Sequence, residues 1–144
     1  MNVLIIVKSK RSGNTMQIAE AMAEVAPVTI VELENANNCK PEEYDIIGLG
    51  SGIFLGKHYK ELIKFAESIQ NKYCFVFSTS GYNDLRKVNN ALINQLESKG
   101  QSVLGSFACR GVFLGIHKGH PDINDFDDAQ SFIGEVIEKY NKLK

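Results

Sequence analysis

Apolar runs alternate with helix-period segments along the chain. Residues 3–7, Val-Leu-Ile-Ile-Val, form an unbroken apolar run rich in β-branched side chains, as a strand buried on both faces requires. Residues 15–25 place Ile18, Ala19, Met22 and Ala23 on one stripe and predict a helix that Pro27 ends. Residues 28–33 predict a second strand, residues 34–43 a polar loop with one helical turn, and residues 45–50 a third strand. A glycine-bearing loop at 51–56 leads into a predicted helix over 57–70, with Leu62, Ile63, Ala66 and Ile69 inward. Residues 73–77 read as the fourth strand, 78–83 as a polar loop, and 85–99 as a helix closed by Gly100. The fifth strand falls at 102–108, followed by a connection over 109–124 that holds Pro121. The last helix, 125–140, carries Phe126, Ala129, Ile133, Val136, Ile137 and Tyr140 on one stripe, with Asn124 or Asp125 as its cap.

Regular alternation of strand and helix predicts a three-layer, doubly wound α/β fold. The expected sheet has five parallel strands in the order 2-1-3-4-5. Ligands of such sheets sit beyond the C-terminal strand ends, at the switch point between strands 1 and 3. The loops after strands 1, 3 and 4 are therefore expected to converge on one edge.

Length adds that residues 1–144 are one domain with a single sizeable core. Hydrophobic residues are 44% and charged residues 23%, the balance of a folded globular chain. A net charge of −1 gives no global field for nucleic acid or a membrane surface, and no apolar run reaches the roughly 20 residues of a membrane span. The chain opens on a strand rather than a signal peptide. Cys39, Cys74 and Cys109 are far apart and match no metal-ligand spacing, so reduced thiols in a cytoplasm are expected, with no metal.

The chemistry concentrates in the loops. Lys10, Arg11, Ser12, Gly13, Asn14 and Thr15 lie between the first strand and the first helix. They offer two hydroxyls, an amide and backbone N–H groups at a positive helix end, a donor set that suits phosphate oxygens. The segment lacks the GxxxxGK[ST] and GxGxxG patterns, the cysteine of a phosphatase, and the acidic residues of a phosphorylation receiver. The plainer alternative is a polar strand-to-helix turn with a good cap.

Ser12-Gly13-Asn14-Thr15 after a hydrophobic first strand resembles the FMN phosphate loop of the flavodoxin family, itself a standard example of the switch-point rule. Lys10 and Arg11 stand where that family usually has further hydroxyls. The segment Ser51-Gly52-Ile53-Phe54-Leu55-Gly56-Lys57-His58 resembles the matching loop of short flavodoxin-like proteins, as does Lys118-Gly119-His120-Pro121. The resemblance implies a noncovalent FMN whose ring lies between the second and third loops. Ile53, Phe54 and Leu55 suit flat cover on one side and Tyr82 on the other. Ser51, Gly52 and Gly56 bring backbone close to the ring, where one carbonyl would accept the proton at flavin N5. Backbone groups of Ser78, Thr79, Ser80 and Gly81, and of Cys109 and Gly111, are candidates for its polar edge.

His58, His117 and His120 are expected at the surface or rim without carboxylate geometry, and Cys109 as a buried, inert thiol. Lys8, Lys10, Arg11, Lys57, Arg86, Lys87, Arg110 and Lys118 make the cofactor end basic, which would steer anions. The resemblance implies a cytoplasmic, monomeric electron carrier between a reductase and an acceptor enzyme, with no catalytic residue. The alternatives are an FMN-dependent NAD(P)H oxidoreductase acting on a quinone or other small anionic acceptor, and a binding module without flavin.

Overall fold

The computed structural model describes every residue except 11–12, 72 and 113–118. Its strands are β1 (Val3–Lys8), β2 (Val28–Glu32), β3 (Ile46–Phe54), β4 (Lys57–His58), β5 (Tyr73–Ser80) and β6 (Ser102–Arg110). Its helices are α1 (Asn14–Ala23), α2 (Lys60–Ala66), α3 (Asn90–Ser98) and α4 (Ile123–Leu143). The sheet runs β2-β1-β3-β5-β6, all parallel, with β4 paired antiparallel to the end of β3. This is the expected 2-1-3-4-5 order plus one short extra strand.

Period-2 alternation divides the core between the two faces. On one face Ile5, Phe75 and Phe77 pack with Ile18 and Met22 of α1 and with Ala129, Ile133 and Val136 of α4. On the other, Leu4, Ile6, Leu49 and Val76 pack with Leu62 and Ala66 of α2 and Leu92 and Leu96 of α3. A fully buried Leu, Ile or Phe of this kind contributes about 1.5–3 kcal/mol. Gly48 and Gly50 lie under the rings of Phe75 and Phe77; a Cβ at either would sit 2.2 Å from a ring carbon.

Four local expectations need correction. The helix predicted over 57–70 is shorter, Lys60–Ala66, because residues 53–58 form a hairpin that extends β3 past the sheet. Its turn has positive φ at both Leu55 (53°) and Gly56 (83°), the geometry of a two-residue hairpin loop. The helix predicted over 85–99 begins only at Asn90, since the Asn89 side chain is drawn down to donate to the Phe107 carbonyl. The polar loop at 34–43 contains two 3₁₀ turns, Leu33–Asn38 and Pro41–Glu43. The last helix is capped by Asp122, not Asn124 or Asp125; Asp122 and Asp125 bond each other's backbone N–H in a reciprocal capping box.

Candidate functional site

The C-terminal ends of β1, β3, β5 and β6 open onto one cleft of about 240 Å³. Ser9, Lys10, Asn14 and Thr15 line it from the first loop, and Gly52, Ile53 and Tyr59 from the hairpin. Thr79, Ser80, Gly81 and Tyr82 close it from β5, and Gly111 and Val112 from β6. The convergence of loops is therefore present. Of the candidate residues, Ser51, Ser78 and Cys109 are buried and do not line the cleft, and Gly13, Phe54 and Gly56 also stand outside its lining. Arg11 and Ser12 lie outside the described residues, as do His117 and Lys118.

The first loop is organised by Gly13, whose φ of 70° turns the chain into α1. The N-cap residue of α1, Gly13, has no side chain to cap it, the first turn holds no acidic residue, and Met16 N–H donates to Ser9 Oγ at 3.4 Å. The N–H groups of Asn14 and Thr15 have no i−4 partner inside the helix, so among the described residues the positive end of α1 faces the cleft with no acidic side chain against it. The two side chains are used elsewhere. Asn14 Nδ2 donates to the Val112 carbonyl at 3.2 Å, and the Thr15 hydroxyl meets that of Thr79 at 2.9 Å. A Cβ at Gly111 would lie 2.6 Å from Asn14 Nδ2, so glycine is required for that clasp. Lys10 holds its ammonium 5.0 Å from the centre of the Tyr59 ring.

Tyr59 is the principal residue that the sequence reading missed. It was placed inside a helix, and no local motif marks it. Its N–H donates to the buried Ser51 hydroxyl at 3.3 Å, and its own hydroxyl sits where a Cβ on Gly52 would be, at 2.6 Å. Burial, with help from the Glu61 charge, raises its phenol pKa. Tyr82 stands at the opposite lip, 60% exposed, while Phe54 and Leu55 project from the hairpin tip at 65% and 76%.

His58 is not a rim residue. It is 2% exposed, because the hairpin turns it inward beneath the cleft. Its Nε2 is 2.9 Å from the Phe77 carbonyl, which can only accept, so Nε2 carries the proton. Burial pushes its pKa down to about 4. His120 also differs from expectation: its Nδ1 lies 3.0 Å from Asp125 Oδ2 and 3.8 Å from Asp122 Oδ2. These three residues keep possible ligand atoms within 4.8 Å of one another, but both carboxylates already serve the α4 cap. Cys109 is buried, and its thiol pKa is pushed up to about 12, first by burial and then by nearby aspartates, which leaves it unreactive.

Several of the expected rim cations are committed within the chain. Lys8 pairs with Glu34 at 3.2 Å, and Arg86 with Asp84 at 3.1 Å. Arg110 donates to the Asn83 carbonyl at 2.8 Å and braces the β5 loop, while Gly111 N–H donates to the Ser80 carbonyl at 3.3 Å. Lys10, Lys57 and Lys87 remain exposed.

A parallel sheet of this order has its cleft at the switch point, the place where ligands of doubly wound sheets sit. The Flavodoxin domain family matches residues 4–114, and the chain belongs to that family. It is 36% identical over 148 aligned positions to an uncharacterized protein of Methanocaldococcus jannaschii, covering 95% of this chain and 99% of the relative. It is 29% identical to the flavodoxin-like domain-containing protein BilS of Clostridioides difficile, over 74% of this chain and 65% of that protein. A flavodoxin from the domain Archaea superposes with a TM-score of 0.76 at 17% identity, covering 98% of this chain and 99% of its own. No helix among the described residues is long and apolar enough to cross a membrane.

Proposed function

We propose that the cleft binds FMN and that the chain carries electrons between redox proteins in the cytoplasm. One observation carries the reading: a helix N-terminus with a glycine N-cap and no acidic residue in its first turn opens into the same cleft that Ile53, Tyr59 and Tyr82 line with apolar surface. An anion site beside flat apolar cover is the donor set that a flavin phosphate ester needs. The N–H groups of Asn14 and Thr15, with Lys10 and the residues at 11–12, would hold the phosphate. Asn14 and Thr15 would act through their backbone, since both side chains have protein partners. Ile53 and Tyr59 would cover one side of the ring and Tyr82 the other, excluding water from its faces. Backbone groups from Thr79 to Gly81, and at Gly111, would address its polar edge. A carbonyl of the hairpin would hold the proton at flavin N5.

Bound FMN would supply the reversible uptake of electrons. Tyr82 at the lip of the cleft is 60% exposed, so the edge of a bound ring would stay within reach of a partner protein, as the carrier reading requires. The test is titration of the colourless protein with FMN and with riboflavin, followed by flavin fluorescence and the visible spectrum. FMN is expected to bind at least ten-fold more tightly than riboflavin. Equal affinity, or no binding, overturns the phosphate assignment. Rapid bleaching of the loaded protein by NADH or NADPH alone favours the enzyme.

A further inference from the structure

Beyond Gly52, which pairs with Thr79, β3 leaves the sheet and its hairpin forms one wall of the cleft, with the β4 arm beside α3. The returning arm must be held by side chains. One tie is the Tyr59 N–H on the Ser51 hydroxyl. The other is His58, whose ring reaches the Phe77 carbonyl at 2.9 Å, directly before the Ser78–Ser80 end of β5 that forms the opposite wall. His58 pairs with Ile53 across the hairpin and precedes Tyr59, and both of those neighbours line the cleft. A histidine usually uses both ring nitrogens, yet His58 Nδ1 is buried with no hydrogen-bond partner among the described residues. All of its polar work passes through one N–H.

We propose that His58 is a positioning residue. As a neutral imidazole protonated at Nε2, it locks the hairpin to β5 and thereby sets the gap that receives the flavin ring. This rests on the FMN reading above. Displacement of Ile53 and Tyr59 by even part of an ångström would change both the packing on the ring and the approach of the hairpin carbonyl to N5. Because Nδ1 contributes nothing, a side chain that supplies only an N–H at the Nε2 position suffices. Glutamine reaches that position. Asparagine is too short, and leucine fills the volume without a donor.

The experiment compares wild type with His58→Gln, His58→Asn and His58→Leu. Two measurements are made: the imidazole ¹⁵N shifts of ligand-free wild type, and the FMN dissociation constant and midpoint potential of each protein. The expected result is a protonated Nε2 and bare Nδ1 near neutral pH, with the Gln variant within about three-fold of wild-type affinity and at the same potential. The Asn and Leu variants are expected to bind FMN about ten-fold more weakly, the effect of one lost buried hydrogen bond, and to shift the potential. If the Leu variant does not fold, the Gln and Asn pair decides. Wild-type affinity and potential in the Asn variant overturn the proposal, as does failure of Gln to restore what Asn loses. A wild type with the assigned tautomer that binds no FMN overturns the FMN reading instead, and with it the role in setting a ring gap.

Discussion

Thr15 and Thr79 join hydroxyls across a buried 2.9 Å hydrogen bond, tying the first turn of α1 to the end of β5 at the floor of the cleft. Each is at most 5% exposed, so removing one hydroxyl strands the other away from water. Thr15→Val and Thr79→Val should each destabilise by about 1–2 kcal/mol, while the double variant should cost about 1 kcal/mol less than their sum. Urea unfolding of the ligand-free protein measures the cycle; strict additivity would mean the pair does not interact.

Lys10 is an exposed cation beside the N-terminus of α1, where the proposed FMN phosphate would sit, and is held near the Tyr59 ring. Lys10→Ala should weaken FMN several-fold at low salt and leave riboflavin unchanged, since riboflavin has no phosphate. The difference should shrink as salt rises toward about 1 M, where screening acts within about 3 Å. Titrations of both flavins at two ionic strengths check this.

Acid stability should carry the signature of His58. Its folded pKa of about 4 lies below the ordinary 6.5, so only the unfolded chain takes up a proton between those values. The His58 contribution should be flat above pH 6.5 and lower stability as pH drops toward 4, by up to about 3 kcal/mol. His120 has the opposite sign: its hydrogen bond to Asp125 raises its pKa, so its contribution is present below 6.5 and lost as pH rises through the folded value. Urea midpoints from pH 4 to 8 test both, with His58→Gln expected to flatten the acid limb.

Leu55 sits at φ 53° in the hairpin turn, where Asn, Asp or Gly is favoured. Leu55→Asn should raise stability by about 1 kcal/mol, because the short amide side chain of asparagine can hydrogen-bond to local backbone in the left-handed region where leucine cannot, and the Leu55 side chain, 76% exposed, gives up little burial. Thermal unfolding reads the gain; a loss would show that Leu55 packs in a way its exposure does not suggest.

The legible parts of this molecule were those with a local physical signature. The unbroken, β-branched Val3–Val7 run matched a strand covered on both faces, and the stripes at Ile18/Met22 and Ile133/Val136 matched helices facing the sheet. Gly13 and Asn14 marked the N-terminal end of α1 for the same reason, since a glycine turn before a helix leaves its first N–H groups without helical partners. The hairpin at 53–58 was illegible. Lys57 and His58 continue the polar spacing of a helix, and the Leu55–Gly56 turn lacks the usual turn residue at its first position. With the hairpin missed, Tyr59 was hidden in a helix and His58 was assigned to the rim.

By itself, the sequence determined the strand–helix alternation, because periodicity is a local pattern; the order of the sheet and the meeting of its loops followed only as the usual topology for that alternation, and the strand pairings bear them out. Only the tertiary structure decided what each polar side chain does there. Asn14 and Thr15 spend their side chains on Val112 and Thr79, Arg110 braces the β5 loop, and His58 turns inward to Phe77. Those choices depend on partners between 19 and 98 residues away, and a hydrogen bond is set by where two chains pass in space rather than by the neighbours of either residue.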